Sequence, residues 1–173
     1  MAIQKLRDGW IDFIRRNDFT DLLTLNFNRP ATAMMGRKQL GRFLQRLDRY
    51  LVGPRYAKHM GRRTFGVAFP EHATSNFHFH CPVRFNNPSP MANPGFHDAI
   101  GLFWKQEVCG GTTDIRPIYD PTGLAHYISK ELLKLERFQN IILFSEFWPE
   151  GERPEHDRVD WLSAGKLVRA ARR

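Results

Sequence analysis

Cysteine is nearly absent from this chain of 173 residues. Only Cys81 and Cys109 occur, too few for a disulfide framework and without a companion cysteine at zinc-ligand spacing. The expected compartment is therefore reducing and cytoplasmic. Long apolar runs are missing as well. None approaches the roughly 18–20 residues that span a bilayer, so no membrane partner is expected. The opening stretch MAIQKLRDGWIDFIRR carries charge throughout and has no apolar signal core, so no secretory signal is expected. Internal repeats and low-complexity tracts are lacking too. Acid is in short supply: 18 Asp and Glu stand against 26 Lys and Arg, a net charge of +8. A surplus of this size on one small domain points to a polyanionic partner, nucleic acid before an anionic membrane surface.

What is present suits one globular domain with a sizeable core. Residues 1–16 have helical periodicity, with Ile3, Leu6, Trp10, Phe13 and Ile14 on one side. Thr20–Phe27 is short, apolar and partly β-branched, and reads as a buried strand ended by Asn28-Arg29-Pro30. Residues 37–52 return to helical period. Leu40, Phe43, Leu44, Leu47 and Leu51 share one face, and Arg37, Lys38, Arg42, Arg46 and Arg49 point away. Strands follow at 65–69 and 77–85, then a loop from Asn86 to Pro94 rich in proline and asparagine. A helix over 95–107, a strand over 113–119, a helix from Asp120 to about Arg137 and a strand over 141–144 complete the order. The expected fold is α+β: a central antiparallel five-stranded sheet with helices packed on one face and the other face free for chemistry. The chain divides into an N-terminal helical extension (1–19), a central domain (20–148), and an acidic loop with a basic tail (149–173).

The stretch NFHFHCPVRF, residues 76–85, carries the most chemistry. Side chains alternate along a strand, so Phe77, Phe79, Cys81, Val83 and Phe85 share the core face. His78, His80, Pro82 and Arg84 share the opposite one. The two imidazoles stand roughly 6–7 Å apart along the strand, placed to grip one cation from one side. A third ligand is needed. Glu71 lies at the end of the preceding strand, with His72 beside it. Strict alternation from Phe65, Val67 and Phe69 would send Glu71 to the core face and His72 to the free one, but Pro70 interrupts the pattern and parity leaves both open. Further on, Tyr127 and Lys130 lie three apart on a helix and are neighbours there. An ammonium beside a phenol favours the phenolate. Arg84, Arg42 and Arg46 are candidates for phosphate contact, and so is the basic tail.

Leu22-Leu23-Thr24-Leu25-Asn26-Phe27, then His78-Phe79-His80, then Tyr127-Ile128-Ser129-Lys130 follow one another in the order of the three motifs of the HUH endonuclease superfamily. The chain resembles its single-tyrosine rolling-circle replication initiators over roughly residues 20–146. The resemblance implies a palm-like fold of the kind seen in RNA-recognition domains. It implies site-specific nicking and joining of single-stranded DNA or an origin hairpin of a plasmid or phage. Tyr127 would be the nucleophile of a 5′-phosphotyrosine intermediate, assisted by Lys130. His78, His80 and Glu71 would hold one Mn²⁺ or Mg²⁺. Asn26 falls in the first motif and is grouped with the DNA-contacting residues. Histidine-rich coordination favours Mn²⁺ over Mg²⁺.

There is no second tyrosine at helical spacing after Tyr127 and no GxxxxGK[ST] phosphate loop. The chain is too short to add a helicase, so a separate helicase partner or a longer parent protein is expected. Rival readings are a single-tyrosine transposase and a hairpin-binding module that does not cut. A relaxase fits less well, because its tyrosine lies near the N-terminus.

Overall fold

A computed structural model of the chain describes residues 2–85, 95–131 and 140–148. The loop expected over 86–94, the end of the helix expected to reach Arg137, and the acidic loop and basic tail of 149–173 lie outside the described residues. Among the described residues four α-helices and five strands follow in the order α1 (Ala2–Arg16), β1 (Asp21–Asn26), α2 (Ala33–Val52), β2 (Phe65–Glu71), β3 (His78–Arg84), α3 (Phe96–Glu107), β4 (Thr112–Pro117), α4 (Pro121–Glu131) and β5 (Ile142–Leu143). Two short 3₁₀ turns precede β2, and another follows β5. Every strand pairing is antiparallel, and the sheet order is β4-β1-β3-β2-β5. The α+β class and the five-stranded antiparallel sheet are as the sequence leads one to expect.

Helix α2 begins one turn earlier than its leucine pattern suggests. Thr32 caps it, accepting a hydrogen bond from the Met35 amide at 3.2 Å, which satisfies one of the orphan donors of a helix start. Gly53 ends it at φ 98°, a conformation open to glycine. Leu40, Phe43, Leu44 and Leu47 are buried against Leu23, Leu25, Phe79, Cys81 and Val83 of the sheet. Gly36 brings the helix close to the sheet, since a Cβ there would lie 2.5 Å from the Phe77 ring. Helix α3 completes this layer. Its Trp104 packs edge-on against Phe27 and Phe43, with centroids 5.1 and 5.6 Å away. The indole N–H donates to the Asn26 carbonyl at 2.8 Å.

Helices α2 and α3 thus cover one face as expected, but the second face is not left bare. Trp10, Phe13 and Ile14 of α1 and Ala125 and Ile128 of α4 join Phe65, Val67 and Phe69 of β2 in a second apolar cluster. Trp10 meets Phe69 edge-on at 5.5 Å. The physical reason lies in β2. Every residue from Phe65 to Phe69 is buried, because a strand covered on both sides needs apolar groups on both sides. Beyond Phe69 this second face turns polar, with Glu71 on β2 opposite His78 on β3. The stretch between α2 and β2 is pinned by a buried ion pair. Arg63 Nε donates to Asp48 Oδ2 at 2.6 Å, and the Thr64 amide donates to Oδ1 at 2.9 Å. Removing one partner would strand the other at a cost of about 3–5 kcal/mol. Among the described residues no helix is long and apolar enough to cross a membrane.

Candidate metal centre

The hairpin β2–β3 sets Glu71 opposite His78 and Phe69 opposite His80. Cross-strand partners share a face, so Glu71, Phe69, His78 and His80 all lie on the second face. Glu71 therefore keeps the alternation of Phe65, Val67 and Phe69 through Pro70. In sequence that set looks like the same core as Phe79 and Cys81, but it belongs to the core beneath α1 and α4. Strict alternation points Glu71 away from the histidines only when the sheet is given a single core. His72 comes next at φ 52°, already turning into the loop, and its side chain is exposed.

Glu71, His78 and His80 form a group that could hold a metal ion, their ligand atoms all within 4.8 Å of one another. Both imidazoles aim Nε2 at the same carboxylate oxygen, Glu71 Oε2: His78 from 3.4 Å and His80 from 3.8 Å. Two ligands on one ion, each about 2.1 Å from it, lie roughly 3.0–3.4 Å apart, so the group needs little closure. The opposite ring nitrogens are already engaged. His78 Nδ1 lies 2.9 Å from the Asn76 carbonyl and must donate to it, which leaves Nε2 as the ligand atom. His80 Nδ1 lies 3.2 Å from Thr24 Oγ1. Such outer partners fix ring orientation in metal-binding histidines. The donors are nearly enclosed, with side-chain exposures of 13%, 12% and 8% for His78, His80 and Glu71. One carboxylate and two imidazoles, partly dry and held from behind, suit a divalent transition metal.

Electrostatics already couples the three groups. Burial opposes charge on Glu71, but the hydrogen bond from His78 and the charges of His80, His78 and His72 outweigh it, and its pKa falls below the ordinary value. The same hydrogen bond to Glu71 raises His78, against burial. His80 is lowered, chiefly by burial, with Glu71 pulling the other way. His72 stacks on His78 with centroids 5.3 Å apart, and its Nε2 is 4.0 Å from Glu71 Oε2.

Tyr127 comes to this group from α4. Its ring meets His80 edge-on at 5.7 Å, and the residue is 52% exposed. Helix α4 achieves this by burying Ala125 and Ile128 in the second core while turning Tyr127 outward. Ser129, fully buried, accepts a hydrogen bond from Arg7 Nε of α1 at 3.2 Å. Lys130 belongs to α4, but its side chain lies outside the described residues. Asn26 sits opposite His78, and Thr24 opposite His80, so β1 flanks the histidines with Thr24 and Asn26.

The arginines go elsewhere. Arg84 shares the histidine face but lies four residues beyond His80, about 13 Å along the strand. Its guanidinium lies over the Phe65 ring at 5.1 Å and donates to the Asn17 carbonyl at 3.4 Å. Arg42 and Arg46 are on α2, across the sheet, where both approach Glu107. Thr24 lies in the first sequence motif, where its neighbourhood to His80 is not evident. Its position at a polar slot of β1, between Leu23 and Leu25, was the available signal. The Asn76 carbonyl carried no sequence signal. The chain matches no protein-family model, no curated protein and no solved structure.

Proposed function

We propose that this chain is a metal-dependent endonuclease and strand transferase. It nicks and rejoins single-stranded DNA through a 5′-phosphotyrosine at Tyr127 and so initiates rolling-circle replication of a plasmid or phage. The observation that carries the reading is the convergence of Tyr127 on His80. A half-exposed phenol from one helix stands against a carboxylate–imidazole group built by two strands. A phenol with a pKa near 10 is a poor nucleophile unaided, and a neighbouring cation remedies that.

A bound divalent ion supplies Lewis-acid polarisation of a phosphate oxygen and neutralises charge there. Glu71, His78 and His80 would hold it, with Mn²⁺ favoured over Mg²⁺ by the imidazole share of the donors. The phenol oxygen of Tyr127 attacks phosphorus in line. A bond from phosphorus to the tyrosine oxygen forms as the bond to the 3′ oxygen breaks. The phenolic proton passes to solvent, and the leaving 3′ oxygen takes up a proton. The phosphodiester bond energy is kept in the phosphotyrosine, so the 3′-hydroxyl can prime synthesis or reverse the step. Lys130, the lysine of the Tyr127-Ile128-Ser129-Lys130 motif, contributes positive charge one helical turn from the phenol.

The test is a denaturing gel. Protein is mixed with a pool of labelled single-stranded oligonucleotides, with Mn²⁺ or with EDTA. A metal-dependent adduct that survives SDS and vanishes in Tyr127→Phe is the expected result. An adduct that persists in Tyr127→Phe sinks the assigned nucleophile. Tight native binding with no adduct replaces the enzyme with a binding module.

A further inference from the structure

Two of the arginines that are phosphate candidates in the sequence, Arg42 and Arg46, lie away from the Glu71–His78–His80 group, yet they stand together. Arg42, Arg46 and Arg49 lie at successive turns of α2, on the side facing α3, and line a cavity of about 650 Å³ between the two helices. That size is within the usual range of small-ligand sites, about 300–1,000 Å³. The cavity has a built floor. Glu107, whose side chain is 4% exposed, accepts from Arg46 Nε at 2.6 Å and lies 3.9 Å from Arg42 Nη1. The Arg46 guanidinium is therefore held by its Nε, and the residue stays exposed. Arg49 is exposed and has no ion-pair partner among the described residues. Three arginines against one carboxylate leave the groove with a net positive charge.

At one end, Tyr50 and Phe103 form an edge-to-face pair with centroids 5.6 Å apart. Tyr50 is 44% exposed, unusual for a ring so close to a core and available for stacking. A row of cations at helical pitch beside an open aromatic face is the combination that single-stranded nucleic acid uses, phosphates on the arginines and a base on the ring. An acidic peptide would use the arginines but leave the ring without work.

We propose that the α2–α3 groove is a second single-stranded nucleic-acid site, across the sheet from Tyr127. Bases stack at Tyr50 and Phe103, and the backbone follows Arg42, Arg46 and Arg49. It shares with the nicking reading only the class of ligand.

The experiment uses the Tyr127→Phe chain in EDTA, so neither cleavage nor the metal centre takes part. Fluorescence anisotropy with labelled oligothymidylate is followed over a salt series. Tyr50→Ala should weaken binding by about 5- to 100-fold, as loss of one stacked base does, with the salt slope unchanged. Arg49→Gln should weaken binding and lower the slope by about 0.7. Unchanged affinity in both, in variants whose circular dichroism and melting match the parent, overturns the proposal. So does displacement of the oligonucleotide by polyglutamate at equal charge concentration with Tyr50→Ala silent, which would make the groove a peptide site. Failure of the adduct assay leaves this measurement untouched, and the reverse also holds.

Discussion

Strand β3 presents two different surfaces to the protein. Toward α2 and α3 it shows Phe79, Cys81 and Val83, all fully buried in a dry core with aromatic rings at contact distance. Toward the other side it shows His78 and His80, gathered on a single carboxylate oxygen. Adjacent residues of one strand therefore face unrelated settings, one set a dry core and the other a group that could hold a metal ion. The sharpest way to test that division is to cut neighbouring side chains. Phe79→Ala should cost about 3–5 kcal/mol of unfolding free energy, read in a urea titration. His80→Ala, one residue on, should stay within about 1 kcal/mol of the parent in EDTA and lose the rise in melting temperature that Mn²⁺ gives the parent. If His80→Ala unfolds as badly as Phe79→Ala, the histidine is a packing residue and the division fails.

The same contrast can be sharpened within the polar face. Glu71→Gln keeps the shape of the side chain and removes its charge. It should lower Mn²⁺ affinity by calorimetry more than the roughly 10–100-fold typical of losing an outer partner. His72→Ala should change that affinity less than Glu71→Gln does, since His72 is exposed and its Nε2 stays 4.0 Å from Glu71 Oε2, farther than either His78 or His80. The opposite ranking would make His72 the third ligand. Thr24→Val, which removes the hydroxyl beside His80 Nδ1, should cost about 10–100-fold, with Thr24→Ser restoring most of it. An unaltered affinity in Thr24→Val would mean that the strand alone orients the ring.

These contrasts also explain what could be read in advance. The histidine pair and helix α2 were legible because each rests on a local period: two for β3, about 3.6 for α2. Glu71 was named as a ligand, yet the face it occupies could not be derived. Strand β2 is apolar on both sides, so alternation says which residues share a face and not which face that is. Only the pairing of Glu71 with His78 decides, and that depends on how the loop 72–77 closes. The second core was hidden for the same reason. Trp10, Phe13 and Ile14 gave α1 an apolar side, but nothing local said that the side would meet β2. That Arg42 and Arg46 lie beside Glu107, across the sheet from the histidines, could not be read either, because a helical period gives a face without saying which side of the sheet the helix will take.

Proton binding gives the smallest effect, and it separates the metal-free chain from the loaded one. His78 is raised by its hydrogen bond to Glu71. Its contribution to stability is complete below the ordinary histidine value of 6.5 and is lost as pH rises through the raised value. Glu71 is lowered, so its contribution is present above the ordinary 4.5 and lost as pH falls through the lowered value. His80 is lowered by burial and works against the fold as pH drops below 6.5. In EDTA, then, His78→Ala should cost more melting temperature near pH 5.5 than near pH 8.5. The difference should be at most a few degrees, as about 1 kcal/mol moves a chain of this size by about 2–4 °C. With Mn²⁺ the order should reverse, because a metal binds the neutral ring and competes with the proton. The cost of His78→Ala would then be larger at pH 8.5, where the ion replaces the proton between His78 and Glu71. A cost that keeps the same sense with and without Mn²⁺ would mean that these residues form an ion pair and nothing more.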